Sequence, residues 1–286
     1  MIIILILHTL KFNLMKNLKV CCPICKGKTK NVLELNKKLT SENIFGLKKS
    51  LYHRILFNCL VCDHHFNVHK QERFLNNIYH QNYSAYSYKN VCKSFKKISS
   101  LPKKKSSNFN RVLNLKRFLK KRKISNPKIL DYGSGTGVFT YLMRNLGFNI
   151  MFCEKNIPCY NFLKNDLKIK PFCKDVLKTE KNTKFNLITS NKVLEHLSNK
   201  VLFKVLEKFK KLLSKGGILY IELPDGTSAK KISLKRQEFF FEHFNIFSKK
   251  SIRILLKNFG FKILEIQKVY EVNKKFTLRI FAQKIS

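Results

Sequence analysis

Four cysteines near the start of the chain form two Cys-x-x-Cys pairs, Cys22-Pro-Ile-Cys25 and Cys59-Leu-Val-Cys62. Each pair sets two thiolates on one side of a tight turn, and two pairs together supply the four sulfur ligands of a tetrahedral Zn²⁺ site. The 33 residues between the pairs exceed the usual spacing of about 15–20, so we expect an extra loop or hairpin there. Residues that could replace one of the thiolates are Cys21, His64 and His65. Free buried thiols are the alternative that needs no metal.

A second group of residues surrounds three closely spaced glycines in the segment Ile129-Leu-Asp-Tyr-Gly-Ser-Gly-Thr-Gly-Val-Phe139. Glycine lets the backbone turn sharply and approach a ligand, and the N-terminus of the following helix can face an anionic group. The spacing differs from the dinucleotide pattern G-x-G-x-x-G, so the segment alone indicates a tight strand-to-helix turn, with or without a ligand. The residues that would form a site here are Asp131, Gly133, Ser134, Gly135 and Gly137.

Two acidic residues fall where the next two strands would end. Glu154 follows the apolar run 149–153, and Asp175 follows the run 171–174 and precedes Val176. A carboxylate at the first position can accept both hydroxyls of a ribose, and one at the second could accept from an adenine amine. Either acid alone is more simply explained as a surface carboxylate. Together, at the carboxyl ends of neighbouring strands, they predict one nucleoside-binding crevice.

The elements that must position these residues follow from the apolar pattern after residue 127. Short apolar runs alternate with segments whose apolar residues recur at helical spacing, which is typical of a parallel sheet covered by helices. The expected strands are 128–132, 149–153, 171–174, 185–190, 218–223, 261–271 and 276–284, and the expected helices are 138–146, 200–213 and 248–259. The last two strands should form an antiparallel hairpin, and Gly216-Gly217 and Gly260 should end the helices before them.

The chain divides by composition into four parts. Residues 1–20 are expected to be a leader, disordered or a mis-annotated start, because Met15 opens a more natural beginning. Residues 21–68 hold the cysteine pairs and should form a zinc-ribbon-like module. Residues 69–125 should be a linker, helical over Arg111–Lys123, with Pro102 interrupting any longer helix. Residues 126–286 carry the alternating pattern and should form the main domain.

The chain is strongly basic, with a net charge of +41 over 286 residues, which often indicates nucleic acid or a membrane surface as partner. Its 49 lysines far outnumber its 9 arginines, whereas surfaces that read bases are richer in arginine. An AT-rich genome alone could produce this composition. No apolar run approaches the roughly 20 residues that cross a bilayer. Nine cysteines without a dense framework indicate a reducing, cytoplasmic compartment.

Taken in order, the segments of the main domain resemble the class I S-adenosylmethionine-dependent methyltransferases over residues 127–286. Besides the glycine-rich segment and both acids, the resemblance rests on Phe185-Asn-Leu-Ile-Thr-Ser-Asn-Lys-Val-Leu-Glu-His-Leu197, Leu213-Ser-Lys-Gly-Gly-Ile-Leu-Tyr-Ile-Glu-Leu-Pro224 and Glu242-His-Phe-Asn-Ile-Phe-Ser248. It implies an α/β, Rossmann-like sheet of seven strands in the order 3-2-1-4-5-7-6, with the last strand antiparallel.

The resemblance also implies roles for the residues singled out above. Asp131 to Gly137 would hold the methionine part of S-adenosyl-L-methionine, Glu154 the ribose, and Asp175, beside Val176, the adenine. Ser190 and Asn191, after the fourth strand, would line the cofactor and acceptor side.

Two histidines are the candidate catalytic residues. Methyl transfer is an in-line displacement that depends mainly on positioning, and a general base helps where the acceptor must lose a proton. His196 follows the fourth strand, the resemblance puts His243 on the acceptor side, and a histidine pKa suits proton abstraction. The alternative is that Glu195-His196 only packs against or caps the next helix.

Three functions are compatible with the sequence. A zinc-ribbon module ahead of such a domain resembles enzymes of sugar and cell-surface glycan biosynthesis, so the expected acceptor is a small molecule, a sugar or glycan precursor. A ribosomal or transfer RNA methyltransferase is the alternative that would use the basic surface for phosphate contacts, although no Asn-Pro-Pro-Tyr motif follows the fourth strand. A non-catalytic zinc-ribbon binding protein is the third, and the intact glycines with Glu154 argue against it.

Overall fold

The computed structural model describes residues 20–72, 74–75 and 90–285. The expected leader, apart from Val20, and residues 73 and 76–89 of the expected linker therefore lie outside the described residues. In chain order the strands are β1 (Thr29–Leu35), β2 (Arg54–Cys59), β3 (His65–His69), β4 (Ile129–Tyr132), β5 (Ile150–Cys153), β6 (Pro171–Cys173), β7 (Phe185–Asn191), β8 (Leu213–Pro224), β9 (Asn245–Ile246), β10 (Phe261–Tyr270) and β11 (Phe276–Lys284). They form one sheet of seven strands and one of four.

The seven-stranded sheet has the order β6-β5-β4-β7-β8-β11-β10. Numbered along the chain, these strands read 3-2-1-4-5-7-6, which confirms the expected topology. β11 is antiparallel to both β8 and β10, whereas the remaining neighbours are parallel. The strand order reverses between β4 and β7, so a crevice opens beyond their carboxyl ends.

Helices cover both faces of this sheet. They are α1 (Val91–Ser99), α2 (Ser107–Lys121), α3 (Val138–Asn145), α4 (Ile157–Asn161), α5 (Asn199–Leu212), α6 (Gly226–Lys230) and α7 (Lys249–Asn258). Ile129 of β4 packs with α2 and α3, and its neighbour Leu130 packs with α5 and α7. Burial on both faces explains why the strands are continuous apolar runs. Among the described residues, no helix has the length and apolarity needed to cross a bilayer.

Two regions differ from the expectations. The linker contains the additional helix α1, and α2 begins at Ser107 because the Ser106 hydroxyl accepts from the Phe109 N–H as a helix cap. Strand β8 begins at Leu213 rather than at 218, so Gly216 and Gly217 lie inside a strand rather than after a helix. Gly216 has φ of 69°, and the register with β7 shifts in this stretch. A bulged strand start therefore replaces the expected turn.

The four-stranded sheet joins the cysteine-bearing part of the chain to the main domain. Its order is β1-β2-β3-β9, and β9 comes from a segment shortly before α7. β9 pairs with β3 through His65 opposite Ile246 and Phe66 opposite Asn245. Cys22 and Cys62 also pack into the same buried core as α5 and α7. The expected module at 21–68 thus shares both a sheet and a core with the rest of the molecule.

Candidate functional site

A cavity of about 370 Å³ opens at the carboxyl ends of β4, β5, β6 and β7. Eight of the residues expected at a cofactor site line it, namely Asp131, Gly133, Ser134, Gly135, Glu154, Asp175, Val176 and Asn191. Gly137 is buried at the start of α3, and Ser190 is fully buried, so neither lines the cavity. The cavity therefore lies where the reversal of strand order opens the crevice.

The glycine-rich loop has a backbone that residues with a Cβ rarely adopt. Gly133, Gly135 and Gly137 have φ of 73°, 54° and 80°, all in the left-handed region. A Cβ at Gly133 would lie 2.5 Å from Cγ2 of Val193, and one at Gly137 would lie 2.8 Å from Cγ of Leu163. The close packing leaves the loop backbone itself as part of the cavity wall.

The carboxylates of Asp131 and Glu154 each accept two hydrogen bonds next to this loop. The Asp131 carboxylate accepts from the hydroxyls of Thr140 at 2.6 Å and Thr189 at 2.7 Å. Glu154 accepts from the backbone N–H of Gly135 at 2.7 Å and, through its other oxygen, of Asn156 at 2.8 Å. Burial raises the pKa of both carboxyls above their ordinary values. Both acids thus line the cavity with both carboxylate oxygens already accepting a hydrogen bond.

The cavity also contains polar atoms that lack partners. The Nδ2 amide of Asn156 and the Oδ1 oxygen of Asn191 are buried without a hydrogen-bond partner in the described structure, and both residues line the cavity. Asp175, further along, accepts from the Leu177 N–H and lies 3.4 Å from the Lys155 ammonium. Buried polar groups are normally paired, so this pattern fits a polar ligand such as a nucleoside.

The linker contributes residues that the sequence analysis did not identify. Ile98 of α1 and Asn108 and Arg111 of α2 line the same cavity. Arg111 is held by Glu222 at 2.6 Å and by Glu271 at 3.1 Å. The helical spacing at 111–123 indicated a helix, but no signal in one sequence indicated that it covers the crevice.

A smaller cavity of about 130 Å³ adjoins the first, and Lys192 and His196 line both. Its other lining residues are Glu195, Pro224, Gln237, Glu238, Glu242, His243, Lys275 and Phe276. His196 and His243, far apart in sequence, lie together here with ring centroids 4.8 Å apart. The structure therefore brings both candidate catalytic histidines to one place beside the larger cavity.

The hydrogen bonds of the two histidines define which nitrogen carries the proton. Nδ1 of His196 lies 3.0 Å from the carbonyl oxygen of Glu242, and Nδ1 of His243 lies 2.8 Å from that of Glu238. A carbonyl oxygen only accepts, so each Nδ1 is protonated and each Nε2 carries the lone pair. Burial lowers the pKa of His196 to about 4 and that of His243 well below its ordinary value, so both rings are neutral at pH 7.

Two carboxylates in the smaller cavity lack partners. Glu195 is 1% exposed, and the Oε2 atoms of Glu195 and Glu242 are buried without a hydrogen bond in the described part of the chain. Burial raises the pKa of each to about 7. Sequence analysis named both acids only as neighbours of the histidines, because burial could not be inferred from their position.

The four cysteines of the two pairs converge on one point. Sγ of Cys22 lies 3.7 Å from Sγ of Cys62, Sγ of Cys25 lies 3.4 Å from Sγ of Cys59, and the four sulfurs all lie within 4.8 Å of one another. Tetrahedral ligands at a Zn–S distance of about 2.3 Å are about 3.8 Å apart, so the arrangement fits zinc. The possible replacement ligands Cys21, His64 and His65 are not part of this group.

The cysteine-bearing sheet also contacts the wall of the smaller cavity. The Asn67 amide of β3 donates to the backbone carbonyl of His243, and the backbone N–H of Phe241 donates to the Glu42 carboxylate. Ser248, just before α7, donates to the carbonyl of Cys62 at 2.6 Å. The segment 237–248 is therefore attached to the cysteine-bearing sheet along its length.

Comparison with known proteins gives a family match and a fold match. A family model described as a methyltransferase domain matches residues 103–266. The fold is similar to that of magnesium protoporphyrin IX methyltransferase from Synechocystis PCC 6803, which was solved with bound S-adenosylhomocysteine (SAH). The TM-score is 0.51 and the sequence identity 14%, and the match covers 75% of this chain and 100% of that one. An S-adenosylmethionine-dependent methyltransferase from Clostridium acetobutylicum has a TM-score of 0.50 and 17% identity over 68% of this chain and 99% of its own. No curated protein sequence matches the chain.

Proposed function

The chain belongs to the methyltransferase-domain family and is an S-adenosylmethionine-dependent methyltransferase, and we propose that its acceptor is a small molecule, a sugar or cell-surface glycan precursor. This proposal rests on one observation: the two cavities adjoin, and His196 and Lys192 line both of them. One cavity has the features of a nucleoside site, and the other is small and polar. A methyl group held in the first would face an acceptor held in the second.

The cofactor residues that we assign are those of the larger cavity. The loop from Asp131 to Gly137 would contact the methionine part, Glu154 the ribose hydroxyls, and Asp175 with Val176 the adenine. The unpaired Asn156 amide and Asn191 oxygen would gain partners from the bound cofactor. The cofactor supplies an electrophilic methyl group on a sulfonium centre, and the residues of this chain bind and orient it.

The acceptor residues that we assign are His196 and His243. Each ring presents an Nε2 lone pair, because its Nδ1 proton is engaged by a backbone carbonyl. A neutral imidazole at this position can accept the hydrogen bond of an acceptor hydroxyl and take its proton during the displacement. Burial of both rings keeps them in the neutral form that this role requires.

The lining of the smaller cavity supports a hydroxyl-bearing acceptor. Three carboxylates, one amide and two imidazoles line it, and such groups bind several hydroxyls at once. Phe276 adds an aromatic ring against which an apolar face of a sugar can pack. Lys192 and Lys275 line the cavity as well, so its lining by itself neither repels nor attracts a phosphate backbone.

We also propose that Cys22, Cys25, Cys59 and Cys62 bind a structural Zn²⁺ ion. Their sulfurs have the separations of a tetrahedral site, and all four are free thiols. A four-thiolate site has no open position and thus contributes to folding rather than to catalysis. The ion would stabilise the sheet that contacts segment 237–248.

The proposed acceptor class can be tested by transfer of labelled methyl groups. Purified protein is incubated with methyl-labelled S-adenosylmethionine and host extract, with and without prior RNase, and the products are separated by size. We expect label in a small-molecule or glycolipid fraction that RNase does not change. Label in large, RNase-sensitive material would instead support the RNA alternative.

A further inference from the structure

Three side chains in the smaller cavity have the composition of a metal site. One carboxylate oxygen of Glu195 and one ring nitrogen each of His196 and His243 all lie within 4.8 Å of one another. Glu195 and His243 are 1% and 8% exposed. Ligand atoms around an ion at about 2.1 Å are about 3.4 Å apart, so the atoms would have to approach one another by at most about 1.4 Å to complete the geometry.

A second observation points independently to a cation. The Oε2 atom of Glu195 is buried and has no hydrogen-bond partner within the described residues. Leaving a buried carboxylate oxygen without a donor or a positive charge is costly. Nothing in the hydrogen bonding of the described chain explains the placement of this oxygen, whereas a bound cation would.

The backbone contacts of both histidines match those of metal ligands. Ligating histidines almost always donate their second N–H to a carbonyl or carboxylate, which fixes the ring and its tautomer. Nδ1 of His196 donates to the carbonyl of Glu242, and Nδ1 of His243 donates to that of Glu238. Both rings are therefore oriented with Nε2 as the nitrogen that carries the lone pair.

Both acidic and basic side chains surround this group. Glu242 adds a second buried carboxylate oxygen without a partner, while the third carboxylate, Glu238, pairs with Arg236 at 3.0 Å. The Lys192 ammonium is directed to Glu271 at 3.2 Å. Lys192 and Lys275 both line the cavity and oppose cation binding, so an ion would have to be held by its direct ligands rather than by the net charge of the cavity.

We propose that Glu195, His196 and His243 bind a divalent transition-metal ion that holds a hydroxyl oxygen of the acceptor next to the cofactor. Two imidazoles and one carboxylate suit Zn²⁺, Mn²⁺ or Fe²⁺ and leave coordination positions for a substrate. His196 also lines the cofactor cavity, so the open positions would face the methyl group. The inference rests on the proposed function, restricts the acceptor to one that bears a hydroxyl, and replaces the proton-accepting role of the two histidines with a metal-binding role.

In this arrangement the ion occupies the histidine lone pairs, so another group must take the proton. The acceptor oxygen forms its bond to the methyl carbon while the bond between carbon and the sulfonium sulfur breaks, giving SAH. The hydroxyl proton passes to the Glu242 carboxylate, which lines the same cavity. A cation next to the hydroxyl promotes this loss by lowering its pKa.

The test uses Mn²⁺ as the probe, because imidazole and carboxylate ligands accept it whereas thiolates select zinc. Full-length protein that holds one equivalent of zinc, the amount that the four thiolates bind, is titrated with Mn²⁺ in the presence of SAH, and the signal of unbound Mn²⁺ is followed by electron paramagnetic resonance. We expect one Mn²⁺ per chain, and at least tenfold weaker binding in the separate variants Glu195→Gln and His243→Gln. Glu207→Gln, which removes an exposed carboxylate of α5, should bind Mn²⁺ like the unmodified protein.

SAH affinity, measured by calorimetry on the same samples, separates this inference from the proposed function. Variants that keep SAH binding are folded, so their loss of Mn²⁺ reports on the ligands themselves and supports the site. The metal site would be overturned if the unmodified protein bound no Mn²⁺, or if both variants bound Mn²⁺ as tightly as the unmodified protein. If SAH still bound in that case, the proposed methyltransferase function would stand. Loss of SAH binding by the unmodified protein would count against the proposed cofactor pocket instead.

Discussion

The side-chain amide of Asn67 donates a hydrogen bond to the backbone carbonyl of His243 at 2.7 Å, although 176 residues separate them in sequence. The same amide lies 3.4 Å and 3.3 Å from the carbonyls of Phe239 and Phe240, and its oxygen accepts from Arg54. The strand that follows the second cysteine pair therefore holds the loop that carries an acceptor histidine. The cysteine-bearing sheet is thus part of the support of the acceptor cavity.

Replacing Asn67 by leucine should impair acceptor use and spare the cofactor. The variant leaves the carbonyls of Phe239 and His243 without this donor, whereas that of Phe240 still accepts from the His243 N–H, and a lost buried hydrogen bond costs about 1–3 kcal/mol. We expect kcat/KM for the acceptor to fall about tenfold, a change of about 1.4 kcal/mol, with SAH affinity within twofold. Asn58→Leu is the matched control, because Asn58 lies on the neighbouring strand β2 and its amide donates to Asp63. Equal losses of activity in both variants would contradict the assigned role of Asn67.

Glu154→Gln should weaken cofactor binding. Gln keeps the shape but loses the charge, and its NH2 group cannot accept, so only one of the two backbone N–H groups that Glu154 now engages keeps its partner. Loss of charge-assisted hydrogen bonds to the ribose should reduce SAH affinity by about 1–3 kcal/mol, measured by calorimetry. Glu180→Gln, at an exposed site, should have no effect. Unchanged affinity in Glu154→Gln would show that this carboxylate does not contact the cofactor.

Loss of zinc should loosen the cysteine-bearing sheet and the acceptor loop together. Cys59→Ser removes one thiolate, so the protein should lose one equivalent of zinc, and Cys92→Ser, outside the group, should lose none. Hydrogen exchange of residues 20–69 and 237–248 should accelerate, because Ser248 and Asn67 join these parts. Strands β4 to β8 should stay protected. Zinc loss without any change in exchange would contradict a structural role for the ion.

A buried ion cluster should make stability depend on acidic pH. Burial alone would raise the pKa of Glu222, but Arg111 and Arg279 hold it at about 2, below its usual 4.5. A carboxyl with a lowered pKa stabilises the fold fully above pH 4.5, and that contribution disappears as pH falls toward 2. The shift corresponds to about 3 kcal/mol, so urea unfolding at several pH values should show this loss.

Glu222→Gln is the variant that identifies the source of this pH dependence. It leaves Arg111 and Arg279 buried beside a neutral partner, which should cost about 3–5 kcal/mol at pH 7. The difference in stability between the variant and the unmodified protein should then shrink as the pH falls. A constant difference from pH 7 to pH 2.5 would mean that other carboxyls cause the acid sensitivity.

The central sheet could be predicted from sequence because its signals are local. Apolar runs such as 129–132 and 185–191, with three glycines at a strand end, define a strand and a turn without knowledge of distant residues. The cysteine pairs are equally local. In contrast, β9 is a two-residue strand whose pairing with β3 depends on the docking of distant segments, and no periodicity precedes it.

The residues of the site also divide into those with a local sequence signal and those placed by distant contacts. Asp131 lies in the apolar strand β4, Glu154 and Asp175 follow β5 and β6, and their positions near the strand ends bring them to one cavity. Arg111 reaches that cavity from the linker because it pairs with Glu222 and Glu271, which are 111 and 160 residues away. Such long-range ion pairs leave no spacing pattern, so they appear only in the folded structure.

Calorimetric titration with SAH tests the central claim most directly, namely that the glycine-rich cavity binds the cofactor. Gly135→Val introduces a β-branched side chain at φ of 54° in the cavity wall. Gly147→Val imposes the same kind of strain at φ of 84°, at the far end of α3, where a Cβ has nothing within 4 Å. We predict one SAH bound per chain for the unmodified protein and for Gly147→Val, and none for Gly135→Val. Binding of SAH by Gly135→Val with unchanged affinity would contradict the account.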